Sequence, residues 1–154
     1  MFEDILNTQK RKKQITDITL IEKSCREIAQ ESKSSYAGAV KNIALGDRKD
    51  GSTEKYKWFL KLIKEEDITE RGLKNTEVYN YIKQMGHSSI QQGSVTSGLK
   101  YLHTLLRKNK LPAFFDFDSN TNTFYLLDQY MKFVFKWIPE LIDDLFVEEE
   151  NIEE

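Results

Sequence analysis

A chain of 154 residues with 39% hydrophobic and 31% charged residues can hold one ordinary domain or two very small ones, and it is too apolar for a disordered protein. No apolar run approaches the roughly 20 residues of a membrane-spanning helix, and the acidic start Met1-Phe2-Glu3-Asp4 is unlike a secretory signal. The single cysteine, Cys25, has no internal disulfide partner, which is typical of a reducing compartment, so we expect a cytoplasmic protein without a membrane partner.

The net charge of −2 conceals an uneven distribution of charge along the chain. Eight of the 25 acids and none of the 23 lysines and arginines follow Pro139, so residues 1–138 carry a net charge of +6. An acidic tail of this kind screens a basic body, competes with a polyanion or keeps the protein soluble, and the sequence leaves these roles open.

The first half of the chain predicts an arm followed by helices. Residues 1–16 read as a flexible basic arm, in which the run Lys10-Arg11-Lys12-Lys13 is either a phosphate-binding arm or a solvated tail. A helix over 18–31 with Asp17 as its N-cap precedes a short helix over 36–45. The residues of the first helix that we expect to face a core are Leu20, Ile21, Ile28 and Ala29.

A polar turn follows Gly46, and Ser52 caps a third helix. One face of this helix carries Tyr56, Phe59, Leu60 and Ile63 at helical spacing. Its opposite face carries Trp58 and Leu62 among charged residues. Since these two side chains are costly to leave in water, we expect that face to pack on the other half of the chain or on a partner protein.

The second half predicts two helices, a hairpin and a final helix. Thr76 opens a helix to about Met85, and a longer helix over 95–109 carries a buried stripe at helical spacing, made of Val95, Leu99, Leu102 and Leu106. Two aromatic runs, 113–117 and 123–127, flank the turn-rich segment 118–122 and predict a β-hairpin. A helix then begins near Asp128, and Pro139 kinks or restarts it.

Residues 76–127 resemble a winged helix-turn-helix domain: a helix, a short turn, a recognition helix and a hairpin wing. The matching stretch runs from Ser94 through a capped helix and the basic turn Arg107-Lys108-Asn109-Lys110 into the aromatic hairpin. The resemblance covers about a third of the chain and implies a mainly α fold with a small β-hairpin. Residues 18–73 are a candidate for a second, degenerate copy without an evident wing.

The expected domain division follows from this resemblance. After the arm come a helical N-terminal subdomain over 17–73, a winged-helix domain with a C-terminal helix over 74–138, and the end of that helix with the acidic tail over 139–154.

The resemblance implies double-stranded DNA as the partner, in a regulator of transcription or of a mobile element. Hydroxyl groups and cations on the outward face of the helix, and amides at the tip of the wing, are suited to phosphates and base edges. The predicted DNA-binding residues are Ser94, Ser97, Lys100, Tyr101, Thr104, Arg107, Lys108, Asn120 and Asn122.

A protein adaptor that keeps the fold but not DNA binding is the alternative hypothesis. The acids Asp116 and Asp118 in the wing favour it, because a wing that grips phosphate carries lysine or arginine. The C-terminal helix either packs on its own domain or forms a homodimer. The predicted protein-interface residues are Trp58, Leu62, Tyr130, Val134, Trp137 and Leu141.

We do not expect an enzyme, a cofactor or a metal site. The only histidines, His87 and His103, and the lone Cys25 lack the spacing of zinc ligands. No paired carboxylates lie in an apolar segment, and the glycines at 46 and 51 enclose no phosphate-binding loop.

Overall fold

The computed structural model describes the backbone of residues 2–46 and 54–150, and the side chains of residues 17–46 and 55–147. It is mainly helical with a small three-stranded antiparallel sheet. The elements, in chain order, are α1 (Phe2–Leu45), α2 (Glu54–Glu65), β1 (Leu73–Lys74), α3 (Asn75–Met85), α4 (Gln92–Lys108), β2 (Phe115–Asp118), β3 (Thr123–Leu126), α5 (Gln129–Trp137) and α6 (Glu140–Glu150).

Helix α1 is continuous over 44 residues, where the sequence predicted an arm and two separate helices. Asp17, the predicted N-cap, therefore lies within the helix. Residues 2–45 contain no proline and many strong helix formers, so the helix has no obligatory start at Asp17. The serines at 32, 34 and 35 are weak helix formers, but the burial of Ala39, Val40 and Ile43 just beyond them holds the helix together through that segment.

The predicted core face of α1 is wrong except at one residue. Ala29 is buried, whereas Leu20, Ile21 and Ile28 are exposed. The reason is the length of the helix: its residues 17–28 extend past most of the elements that cover the residues after them, so these three apolar side chains face solvent.

One hydrophobic core joins both halves of the chain. The predicted buried faces of α2 and α4 are confirmed, and they pack in the same cluster as Val78 and Ile82 of α3 and Phe124 of β3. Within the described part of 18–73 the chain forms helices but no hairpin, and the degenerate second copy, predicted without an evident wing, stays a prediction. Helix α2 packs in the core of the second half.

The predicted hairpin is confirmed as β2 and β3, and β1 adds a third strand in the order β1-β3-β2. Phe115 lies opposite Leu126, and Leu73 lies opposite Phe124. Strand β1 has only two residues. This third strand was not expected, since two residues are too few to show an alternating pattern.

The restart of the final helix at Pro139 is confirmed by the separation of α5 from α6. Asp128 caps α5 by accepting hydrogen bonds from the backbone amides of Tyr130 (3.0 Å) and Met131 (3.2 Å). Val134, Phe135 and Met131 of α5 are fully buried, as is Ile142 of α6, so both helices belong to the folded body.

Candidate nucleic-acid interface

Helix α4 presents a face that contains cations and hydroxyl groups but no acid. Its 17 residues include no aspartate or glutamate, and its apolar side faces the core. Five of the predicted DNA-binding side chains are exposed on the outward side: Ser97, Lys100, Thr104, Arg107 and Lys108. This face is suited chemically to a polyanion because no carboxylate on the helix repels it.

In the N-terminal turns of α4, some hydroxyl groups form hydrogen bonds within the chain. Asn75 donates from Nδ2 to Thr96 Oγ1 (3.1 Å), which ties α3 to α4. Ser97 donates to the carbonyl oxygen of Ser94 (3.0 Å), and Ser94 itself is half-buried. Of the two predicted serines, Ser97 is therefore the better placed to meet a ligand.

The cations near the end of α4 are held by neighbouring side chains. Lys108 donates from Nζ to the hydroxyl of Tyr101 (2.7 Å), and its Nζ lies 5.3 Å from the centroid of that ring. Arg107 Nη2 lies 2.8 Å from His103 Nε2, a hydrogen bond that requires a neutral imidazole. Tyr101 is half-buried, so its place in the site is to orient Lys108.

His103 is a member of this surface that the sequence analysis left out of the site. It is exposed at the border of the buried stripe. Its position four residues before Arg107 was the available signal, because side chains four residues apart meet on a helix surface.

A groove of about 450 Å³ lies between α4 and the β2 end of the hairpin, and its lining residues are Lys100, His103, Asp116, Phe117 and Ser119. The predicted wing residues Asn120 and Asn122 are exposed in the turn beyond it, where Asn122 has a φ of 52°. The tertiary structure thus brings the cationic face of α4 beside the β2–β3 hairpin.

The two acids of the hairpin have different surroundings. Asp118 is half-buried and accepts a hydrogen bond from the backbone amide of Asn120 (2.9 Å), which fixes the turn. Asp116 is exposed and lines the groove with Lys100. Of the two, only Asp116 places an exposed carboxylate beside the cationic face of α4.

The predicted protein interface is corrected at two positions. Leu62 and Val134 are fully buried in the chain's own core and are out of reach of a partner. Both side chains point towards neighbouring helices of this chain, which periodicity alone does not identify. Tyr130 is exposed, while Trp58, Trp137 and Leu141 are half-buried.

Helix α6 covers the face of α2 that carries Trp58. The Trp58 ring packs edge-on against Phe146, with 4.8 Å between ring centroids, and the Nζ of Lys61 lies 4.7 Å from the Phe146 centroid. Lys64 donates to Asp143 (2.6 Å) at the same contact. Burial lowers the pKa of Lys64, but its hydrogen bonds to Asp143 and Glu65 outweigh that effect and raise it overall. Of the two possibilities weighed for this face, packing within the chain is the one observed.

Tyr36 joins α1 to the start of α5. It donates from its hydroxyl to Asp128 Oδ2 (2.7 Å), and its ring packs 5.9 Å from that of Phe114. Burial, and then the hydrogen bond and charge of Asp128, raise the pKa of Tyr36 well above its ordinary value. Among the described residues, no group of three or more His, Cys, Asp or Glu is arranged to hold a metal ion.

Neither a protein-family model, nor a curated protein, nor a solved structure matches this chain. Within the described residues, no helix combines the length and the apolar character needed to cross a bilayer.

Proposed function

We propose that this chain is a winged helix-turn-helix protein that binds double-stranded DNA and regulates transcription or a mobile element. In this proposal α3, the turn after Gly86 and α4 form the helix-turn-helix, and the β2–β3 hairpin is the wing. The order of these elements along the chain, and the packing of β2 beside α4, support the assignment.

The observation that carries the proposal is the exposed, acid-free face of α4 beside the hairpin turn. A recognition helix enters the major groove with its outward residues near base edges, while cations at its margins contact phosphates. In that arrangement Ser97 and Thr104 would meet base edges or sugar oxygens. Lys100, Arg107 and Lys108 would contact phosphates, and Asn120 and Asn122 would reach the backbone from the wing.

A protein adaptor is the second candidate function, favoured by the exposed carboxylate of Asp116 within the groove. The exposed apolar side chains Leu127 and Tyr130 add to it. The two functions differ in their response to salt, because binding through several phosphates weakens steeply as salt rises whereas apolar docking changes little.

The test is fluorescence anisotropy of a labelled random-sequence duplex titrated with the full chain at two salt concentrations. The double variant Lys100→Glu, Lys108→Glu is expected to lose DNA affinity by more than about tenfold and to lower the salt slope by about 2, since two phosphate contacts are removed. The control is Lys23→Glu, Lys41→Glu, which changes charge equally at exposed positions of α1 and should bind far more tightly than the double variant in α4.

Retained affinity in the α4 variant, with its unfolding midpoint unchanged, would contradict the assignment of α4 as the recognition helix. If the unsubstituted chain shows no salt-sensitive DNA binding, the adaptor function takes precedence.

A further inference from the structure

The N-terminal part of α1 projects from the body as a helix with little cover. From residue 17 to residue 28 no side chain is buried, and Cys25 alone is half-buried. Among the side chains of this helix that the structure describes, the first buried one is Ala29. An isolated helix in water is marginal, and most helices are stabilised by packing an apolar face against another element.

This projecting segment carries an apolar stripe, which we define as Ile18, Ile21, Cys25 and Ile28. The exposed fractions of the three isoleucines are 56%, 61% and 47%. The spacing of three, four and three residues is that of the a and d positions through which one helix packs along another. A contact with a sheet edge or with an irregular loop does not require this spacing.

The body of the protein already covers the continuation of this face. Ser32, one turn beyond Ile28, has its Oγ 3.2 Å from the hydroxyl of Tyr130 in α5. Tyr130 therefore closes the stripe at Ser32, and residues 18–31 leave room for roughly two heptads of a second helix.

The residues that flank the stripe identify the kind of helix that fits. In a two-helix pairing the positions beside the seam are those before each a position and after each d position. Here they are held by Asp17, Glu22 and Ser24, by Ala29, which is buried against Val134, and by Glu31, which precedes Ser32 at the next a position. The exposed flanking residues thus include three acids and no base. The cations of this segment, Lys23 and Arg26, lie away from the seam, where they line a cavity with Glu22 and with Trp137 of α5.

The acidic flanks disfavour a second copy of this chain. A parallel pairing would place Asp17 beside Glu22 of the other copy, and an antiparallel pairing centred on residue 23 would place Glu22 beside Glu22 and Asp17 beside Glu31. Like charges at these positions destabilise a coiled coil and select against the pairing.

We propose that this stripe docks an amphipathic helix of another protein whose apolar seam is flanked by lysine or arginine. The isoleucines supply the apolar contact, and Asp17, Glu22 and Glu31 pair with the basic flanks. The surface lies on a different element from the α4 face and is independent of DNA binding.

The experiment titrates the full chain with two synthetic helical peptides that share one leucine seam at a and d positions. One peptide has lysine at the flanking positions and the other has glutamate. The lysine peptide should bind more tightly by at least about tenfold, because the glutamate peptide faces like charge along the whole contact. Calorimetry measures both affinities.

Two variants of the chain locate the contact. Ile21→Asp should weaken the lysine peptide at least about tenfold, by placing a charge in the seam. Leu20→Asp is the matched control, since Leu20 is 55% exposed but lies outside the stripe, and it should bind as the unsubstituted chain does. Unchanged fluorescence of Trp58 and Trp137 would show that both variants keep the folded body.

Equal affinity for the two peptides would overturn the proposal, as would equal damage from the two variants. Sedimentation of the unsubstituted chain as a dimer of twice 18.1 kDa that Ile21→Asp dissociates would also overturn it, because a second copy would then cover the stripe.

Discussion

The two carboxylate oxygens of Asp128 accept hydrogen bonds from two different helices. Oδ1 accepts the backbone amides that begin α5, and Oδ2 accepts the hydroxyl of Tyr36 from α1. A single residue thus both caps one helix and fixes the position of another. The sequence predicted a helix start near Asp128, but it did not predict the cap or the bond to a tyrosine 92 residues away.

This hydrogen bond makes the free energy of unfolding depend on pH in the alkaline range. Because the pKa of Tyr36 is raised above its ordinary value of 10.0, its contribution is fully present below pH 10.0 and is lost as pH rises through the higher pKa of the folded state. The stability advantage of the unsubstituted chain over Tyr36→Phe should therefore shrink above pH 10.0. Urea unfolding of both proteins at neutral and alkaline pH measures this difference. An advantage that stays constant would contradict the assigned role.

At the scale of elements, the two-residue strand β1 depends on the glycine that precedes it. Gly72 has a φ of 70°, and a Cβ there would lie 2.4 Å from the carbonyl oxygen of Phe124 in β3. Only glycine allows both this backbone conformation and this close approach of two strands. The sequence pattern did not predict this third strand, because the position of β1 is set by its contact with β3, a strand distant along the chain.

Gly72→Ala is expected to lower the free energy of unfolding by at least about 2 kcal/mol, from backbone strain and from the clash with β3. The control is Gly38→Ala in α1, where an added Cβ meets nothing within 4 Å. That change should stabilise the protein by about 0.5–1 kcal/mol, because alanine favours a helix more than glycine does. Thermal or urea denaturation distinguishes the two, and a neutral Gly72→Ala would show that β1 does not need this conformation.

At the scale of the whole molecule, the C-terminal tail carries a negative charge and the rest of the chain a net positive charge. Ile142 is fully buried and Phe146 packs on Trp58, so α6 cannot be removed at Pro139 without opening the core. Residues 148–154 contribute five glutamates beyond these contacts. Their removal changes the formal net charge from −2 to +3.

If the proposed DNA binding is correct, truncation after Val147 should raise DNA affinity severalfold at low salt, and the gain should diminish as salt rises. Anisotropy titrations of the duplex measure it. A full-length variant with all five glutamates changed to glutamine should show the same gain, which separates charge from chain length. Unchanged affinity in both proteins would mean that the tail does not oppose DNA binding.

The sequence by itself determined the features that depend on neighbouring residues. The buried stripe of α4 follows from helical spacing, the β2–β3 hairpin from two aromatic runs around a polar turn, and the break before α6 from Pro139. The exposed members of the candidate site follow from the same spacing, because the buried face of α4 fixes which side chains point outward.

The tertiary structure decided which element covers each apolar face. Leu62 and Ile21 are both apolar positions on a helix. Leu62 is nevertheless enclosed by neighbouring helices, while Ile21 lies in a part of α1 that no other element covers closely and is exposed. It also separated the two acids of the hairpin, since Asp118 accepts a hydrogen bond within the turn and Asp116 lines the groove. These outcomes depend on contacts between residues distant along the chain, about which local spacing carries no information.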